Sequence, residues 1–195
     1  WQSASDYDEY LASGWIGRYV ETLHPEFPEG YPNEQYPHPL AVELGWQTSL
    51  MFTGNYSFPS FIANNPEHFQ EIINEFDNVY PNSFKGDRLK YAQLIAKQSN
   101  LYSAEVRDAY KRSSSASEFP STHLGWQLET VSRLIKGGLN TRIYMVQKGG
   151  FDTHDRQVEL DDATKGEHSR HLKEINDAVT AFIKSLDETG DSDRV

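Results

Sequence analysis

The stretch "LNTRIYMVQKGGFDTHDRQ", residues 139–157, constrains this chain more than any other. A run rich in β-formers ends at Val146. Two glycines follow, and then an aromatic residue with an Asp and a His one residue apart. An amphipathic helix is predicted on either side. Before the run, "STHLGWQLETVSRLIKGG" offers Ser121 or Thr122 as an N-cap. Leu124, Leu128, Val131 and Ile135 lie on one face with Leu134 beside them, and Gly137 and Gly138 form the stop. After it, "EHSRHLKEINDAVTAFIKSLDETG" carries a stripe of Leu172, Ile175, Val179, Phe182 and Leu186, and Gly190 ends it. Helix, buried parallel strand, ligand-rich turn, helix is the grammar of an α/β protein with a right-handed crossover. One strong strand is not a sheet, so most strands are expected outside this chain. Val195 stands where a next strand would begin, and Trp1 opens without an initiator. The chain is therefore read as an interior piece of a larger protein.

The rest of the chain is less regular. The segment "SGWIGRYVETL" predicts a short helix capped by Ser13, with Trp15, Ile16, Tyr19, Val20 and Leu23 inward. In "HPEFPEGYPNEQYPHP" prolines recur too often for a ladder or a helix, which predicts a long surface loop. "LAVELGW" and "TSLMFTG" are candidate strands. "PEHFQEIINEFDNVY" predicts a helix starting at Pro66, with Phe69, Ile72, Ile73 and Phe76 as its stripe. Residues 86–113 give one kinked helix or two, and "SSSAS" at 113–117 a flexible link. The expected organisation is one partial domain over 1–195. Its loop- and helix-rich part covers 1–117, and a helix–strand–turn–helix unit covers 118–195.

Composition excludes several function classes. The formal net charge of −11, with no run of basic residues, disfavours non-specific binding to nucleic acid or anionic membrane. No apolar run is long enough to span a bilayer. The chain has no Cys, which removes disulfides, thiolate catalysis and Cys-type zinc sites.

Ligands of open α/β sheets bind beyond the carboxyl ends of strands, where Asp152 and His154 would sit. Asp and neutral His suit zinc and other divalent metals, and the two can also act as a base and its orienting partner. The structural alternative is an Asx turn at Asp152 and a hydrogen-bonded surface His154. His168 and His171 share a face at the start of the next helix, and His168 is placed to fold back towards the turn. His24 and His38 read as loop residues, and His123 as part of the first turn of its helix. Trp46 and Trp126 read as core or interface aromatics. Arg18, on the aromatic side of its helix, either binds an anion as a substrate-binding residue or pairs with an acid.

"GGFDTHDRQ", preceded by "LETVSRLIKGGLNTRIYMVQK" and followed by "HSRHLKEINDAVTAFIKSL", resembles the bacterial DUF1501 family, uncharacterised proteins of the alkaline phosphatase-like superfamily. "WQSAS" and "GWIGRYVE" resemble that family's more N-terminal motif, and residues 55–115 match loosely. The resemblance implies an alkaline phosphatase-like α/β fold with a parallel sheet between helices. It also implies a two-metal hydrolase site (Zn, Mn or Ca). Asp152 takes the place of the strand-end metal ligand. His154 takes that of its partner, at a shorter spacing than in alkaline phosphatases proper, and His168 falls at the family's His before the long helix. The family's upstream Gly/Asp-rich stretch and its downstream "SEFGR" and Asp–His–Gly stretches are not in this chain. At most half a site is therefore expected, and no activity from the fragment alone. The resemblance further implies export to a periplasmic or extracellular location. Two functions follow as expectations. One is a metal-dependent hydrolase of phosphate or sulfate esters, with a small-molecule ester or glycan as substrate. The other is a non-catalytic exported binding or scaffold protein that keeps the fold.

Overall fold

The structure is a computed structural model that describes residues 2–46, 48–57, 59–68, 80–114 and 117–195. Over these described residues it is α/β, with four helices and a small parallel sheet. In chain order the elements are α1 (Trp15–Leu23), β1 (Ala41–Glu43), β2 (Ser60–Ile62), α2 (Phe84–Arg112), α3 (His123–Lys136), β3 (Ile143–Met145) and α4 (Glu167–Asp187). Short 3-10 turns stand at Leu50–Phe52, Pro66–His68 and Ser192–Arg194. The chain divides into two compact units. One comprises Trp1–Asp108 with Leu139–Met145, the other Ala109–Gly138 with Val146–Val195.

The first unit holds the sheet, in the order β2-β1-β3 with both pairings parallel. Val42 sits opposite Phe61 on one side and Tyr144 on the other. Partner strands therefore do lie within the chain. β1 falls inside "LAVELGW" as expected, but "TSLMFTG" forms a 3-10 turn, and β2 comes from a stretch with no strand signal. β1 is wholly buried as the central strand. β3, expected to be buried, is half-buried because this sheet pairs it on one side only. Ala41, Met51 and Phe52 form a core cluster against Ile16, Ile143 and Met145.

α1 turns only part of the expected face inward, since Ile16 packs on the core cluster and Val20 is buried while the aromatics are not. Gly17 and Val20 are buried, while Trp15, Tyr19 and Leu23 are exposed. The reason is a backbone-to-backbone contact. A Cβ at Gly14 would stand 2.0 Å from Leu50 O, and one at Gly17 would stand 2.5 Å from Thr53 O. Two glycines three apart let the helix lie directly on the 50–54 backbone. The predicted cap at Ser13 is absent. Gly14 is the N-cap, and no side chain bonds there. At the far end of α1, the Glu21 carboxylate accepts the amides of Asn55, Tyr56 and Ser57 at 2.8–2.9 Å, and the Ser57 hydroxyl at 2.9 Å. Burial alone would raise this carboxyl, but those four bonds outweigh it and hold Glu21 below its usual range.

The long helical stretch forms one helix, α2. The stripe expected at Phe69, Ile72, Ile73 and Phe76 lies outside the described residues, as does the middle of the 113–117 link.

The second unit is built on α3 and α4. Thr122 caps α3, its hydroxyl accepting from Gly125 N at 3.1 Å, and Gly138 adopts a φ of +85° just past the helix end. Leu124, Leu128 and Ala178 form the core between the helices, with Phe119, Val146, Ile175 and Phe182 packed around them. Leu172 and Val179, expected in the α4 stripe, are exposed at 50% and 39%. The deeply buried positions are Ala178, Ser185 and Leu186. Small residues on this face let the two helices approach closely. Ser132 and Ser185 share a buried hydrogen bond of 2.8 Å, and Lys136 Nζ donates to Ser185 Oγ at 2.6 Å.

Candidate functional site

The turn after β3 is fixed at its entrance by α3. Gln127 is fully buried, and its side-chain amide mimics a neighbouring strand. Nε2 donates to Gln147 O at 2.8 Å, and Oε1 accepts from Gln147 N at 2.8 Å. Next, Lys148 pairs with Glu174 of α4 at 3.1 Å, both side chains one-fifth exposed. Burial raises the Glu174 carboxyl, but hydrogen bonds from Lys148 and Thr122 outweigh it and leave the group below its usual range. Gly150 has a φ of +92°, a conformation that favours glycine, and a Cβ there would lie 2.9 Å from the His171 ring.

Phe151 lies across both α4 histidines, with ring centroids 6.0 Å from His168 and 5.2 Å from His171. Asp152 and His154 then face each other across one residue, Oδ1 to Nε2 at 2.7 Å, exposed at 83% and 88%. The turn returns to α4 by backbone bonds, Glu167 N to Arg156 O at 3.1 Å and His168 N to Gln157 O at 3.2 Å. Gly166 permits this approach, because a Cβ there would meet Gln157 O at 2.5 Å.

The sequence-predicted ligands thus fall into two groups. Asp152 and His154 form a direct pair. His168 reaches the turn through Phe151 instead of joining the pair. Among the described residues, no group of three or more His, Asp or Glu side chains converges closely enough to hold an ion. Arg18, in the other unit, donates to Ser13 O at 2.8 Å, Ser13 Oγ at 3.2 Å and Ser3 O at 2.6 Å. Its partners are backbone carbonyls and a hydroxyl, and it ties the N-terminal segment to the start of α1. No family model, curated protein or solved structure matches the chain.

Sequence reasoning did not anticipate Gln127, although a signal existed. It occupies the apolar face of α3, three residues from Leu124 and four from Val131, where a polar side chain needs a partner. The Pro/Tyr segment is also more ordered than a surface loop. His24 Nδ1 bonds Tyr31 Oη at 2.9 Å, and its ring meets Tyr36 edge-on at 4.7 Å. The buried Gln98 amide donates to the carbonyls of Pro28 and Tyr31. The Asn33 side-chain Oδ1 accepts the backbone amides of Gln35 and Tyr36 at 3.0 and 2.9 Å. Trp46, expected in a core or interface, is 81% exposed.

Proposed function

We propose that the turn carrying Asp152 and His154 supplies one side of a divalent-metal site in a hydrolase of phosphate or sulfate esters. The remaining ligands and the nucleophile are supplied by further chain. The observation that carries this reading is the 2.7 Å pairing of Asp152 with His154, in the turn that follows parallel strand β3 and open to solvent. The donor set suits the ion. Carboxylate and imidazole bind zinc at about 2.0–2.2 Å, which places tetrahedral ligand atoms about 3.3 Å apart. The pair therefore has to open by only about half an ångström. When bound, such a metal polarises an ester oxygen and activates a nucleophile. This chain's part is to present two ligand atoms. Gln127 and Lys148 anchor the entrance of the turn that carries them, through the backbone at Gln147 and the pairing with Glu174. The resemblance to the DUF1501 family, with the alkaline phosphatase-like fold that it implies, points to the same reading, as does the strand–turn–helix setting of Asp152.

The test is metal content by elemental mass spectrometry after loading with zinc, manganese or calcium. It is run on the longer protein and on its Asp152→Ala and His154→Ala variants. Near-stoichiometric metal that falls at least tenfold in each variant is expected. Failure to retain any of the three metals would overturn the reading.

A further inference from the structure

The first unit contains a cavity of about 390 Å³, bounded by the last turns of α1, the Pro/Tyr segment over 35–40 and the approach to β3 over 140–143. That volume lies within the range of small-molecule sites, roughly 300–1,000 Å³. Its walls are preformed. His38 Nδ1 accepts Asn140 N at 2.9 Å, and Thr141 Oγ1 donates to Pro39 O at 2.7 Å, so the Pro/Tyr segment is bonded to the approach to β3. Tyr31 and Tyr36 stack at 5.8 Å, and both meet the His24 ring.

The lining combines three apolar faces with one cation. Tyr19 and Leu23 of α1 expose more than half of their surface, and Tyr36 adds a third face. Arg142 also lines the cavity. No carboxylate stands within 4.0 Å of its guanidinium among the described residues, although acids outnumber bases by 29 to 18. His24 lines the same space, with Nδ1 engaged by Tyr31 and Nε2 left for a ligand. Burial, and then the nearby Arg142, lower the His24 pKa, which disfavours a second charge on that ring, and His38, also in the lining, faces the Glu105 carboxylate at 3.8 Å, so Arg142 is the one permanent cation of the lining.

A lone guanidinium pairs with a planar carboxylate through two parallel N–H bonds, and its one positive charge matches a monoanion. Tyrosine faces select a flat ring. We infer that this cavity is a binding site for a small organic acid, a single carboxylate on a flat aromatic body, with Arg142 on the carboxylate and Tyr19 and Tyr36 along the ring. The inference does not depend on any role for Asp152 or His154.

Isothermal titration with 2-naphthoate and its neutral twin 2-naphthamide tests it. The acid is expected to bind about tenfold more tightly than the amide, the gain of a charge-assisted bond. In Arg142→Gln that advantage is expected to vanish while the amide binds as before. In Tyr19→Ala, a change on an exposed helix position, both probes are expected to weaken together. Circular dichroism confirms that each variant is folded. Equal affinity for acid and amide in the unmodified protein, no binding of either at millimolar concentration, or an acid preference that survives Arg142→Gln would each overturn the proposal.

Discussion

Glu43 places an ionisable group in the middle of β1, where only 2% of its surface is exposed. Ser49 N donates to its Oε2 at 2.8 Å, and the Ser60 hydroxyl donates to Oε1. Burial raises the carboxyl above its usual range, and the two hydrogen bonds offset this only in part. A carboxyl with a raised folded-state pKa binds its proton more tightly in the folded state. Its contribution to stability is therefore greatest at low pH. It declines as pH rises from the unfolded value, about 4.3, through the folded one. Glu43→Gln keeps the shape and can keep both bonds without the charge. The unfolding free energy of this variant, relative to the unmodified protein, is expected to improve between pH 4.5 and pH 7 by on the order of 1 kcal/mol. Urea melts at the two pH values measure it. A difference that does not change with pH would mean that Glu43 titrates normally.

At the scale of elements, α3 sets the geometry of the candidate turn. Replacing Gln127 with Leu preserves helix propensity and bulk, yet it leaves the N–H and C=O of Gln147 without their partners. The expected loss is about 2 kcal/mol, read from urea melts, with faster hydrogen exchange at the Gln147 amide than at Leu128 in mid-helix. If the exchange rate at Gln147 is unchanged, the amide finds another partner and α3 does not hold the turn. α3 and α4 were legible in the sequence because long periodic stripes survive most tertiary contexts, and α3 also carries a side-chain cap at Thr122. β3 was legible as an apolar run between glycines. Three-residue elements were not, since Ser60–Ile62 is too short to show a period and Leu50–Phe52 is as apolar as a strand. The face of α1 was legible only in part because burial there follows Gly14 and Gly17, not the aromatics. Within the candidate site, the pairing of Asp152 and His154 was readable from adjacency. The cavity was not, because its walls come from three segments separated by up to 100 residues or more and meet only on folding.

At the scale of the whole molecule, a formal net charge of −11 bears directly on how an anion can be bound. The summed field repels an approaching carboxylate, while attraction to Arg142 acts over a few ångströms inside the cavity. Salt separates the two. The screening length falls from about 30 Å at 0.01 M to about 8 Å at 0.15 M, which removes most of the long-range repulsion and less of a contact pairing. A basic surface would lose affinity for an acid as salt rises. Here the affinity for 2-naphthoate relative to 2-naphthamide is expected to hold or to rise up to about twofold over that range. Arg142→Gln isolates the repulsive part. Its acid-to-amide affinity ratio should lie below one at 0.01 M salt and approach one at 0.15 M. Titrations of both probes at the two salt concentrations measure the ratio. A steep fall with salt in the unmodified protein would show that several cations, and not Arg142 alone, draw the carboxylate in.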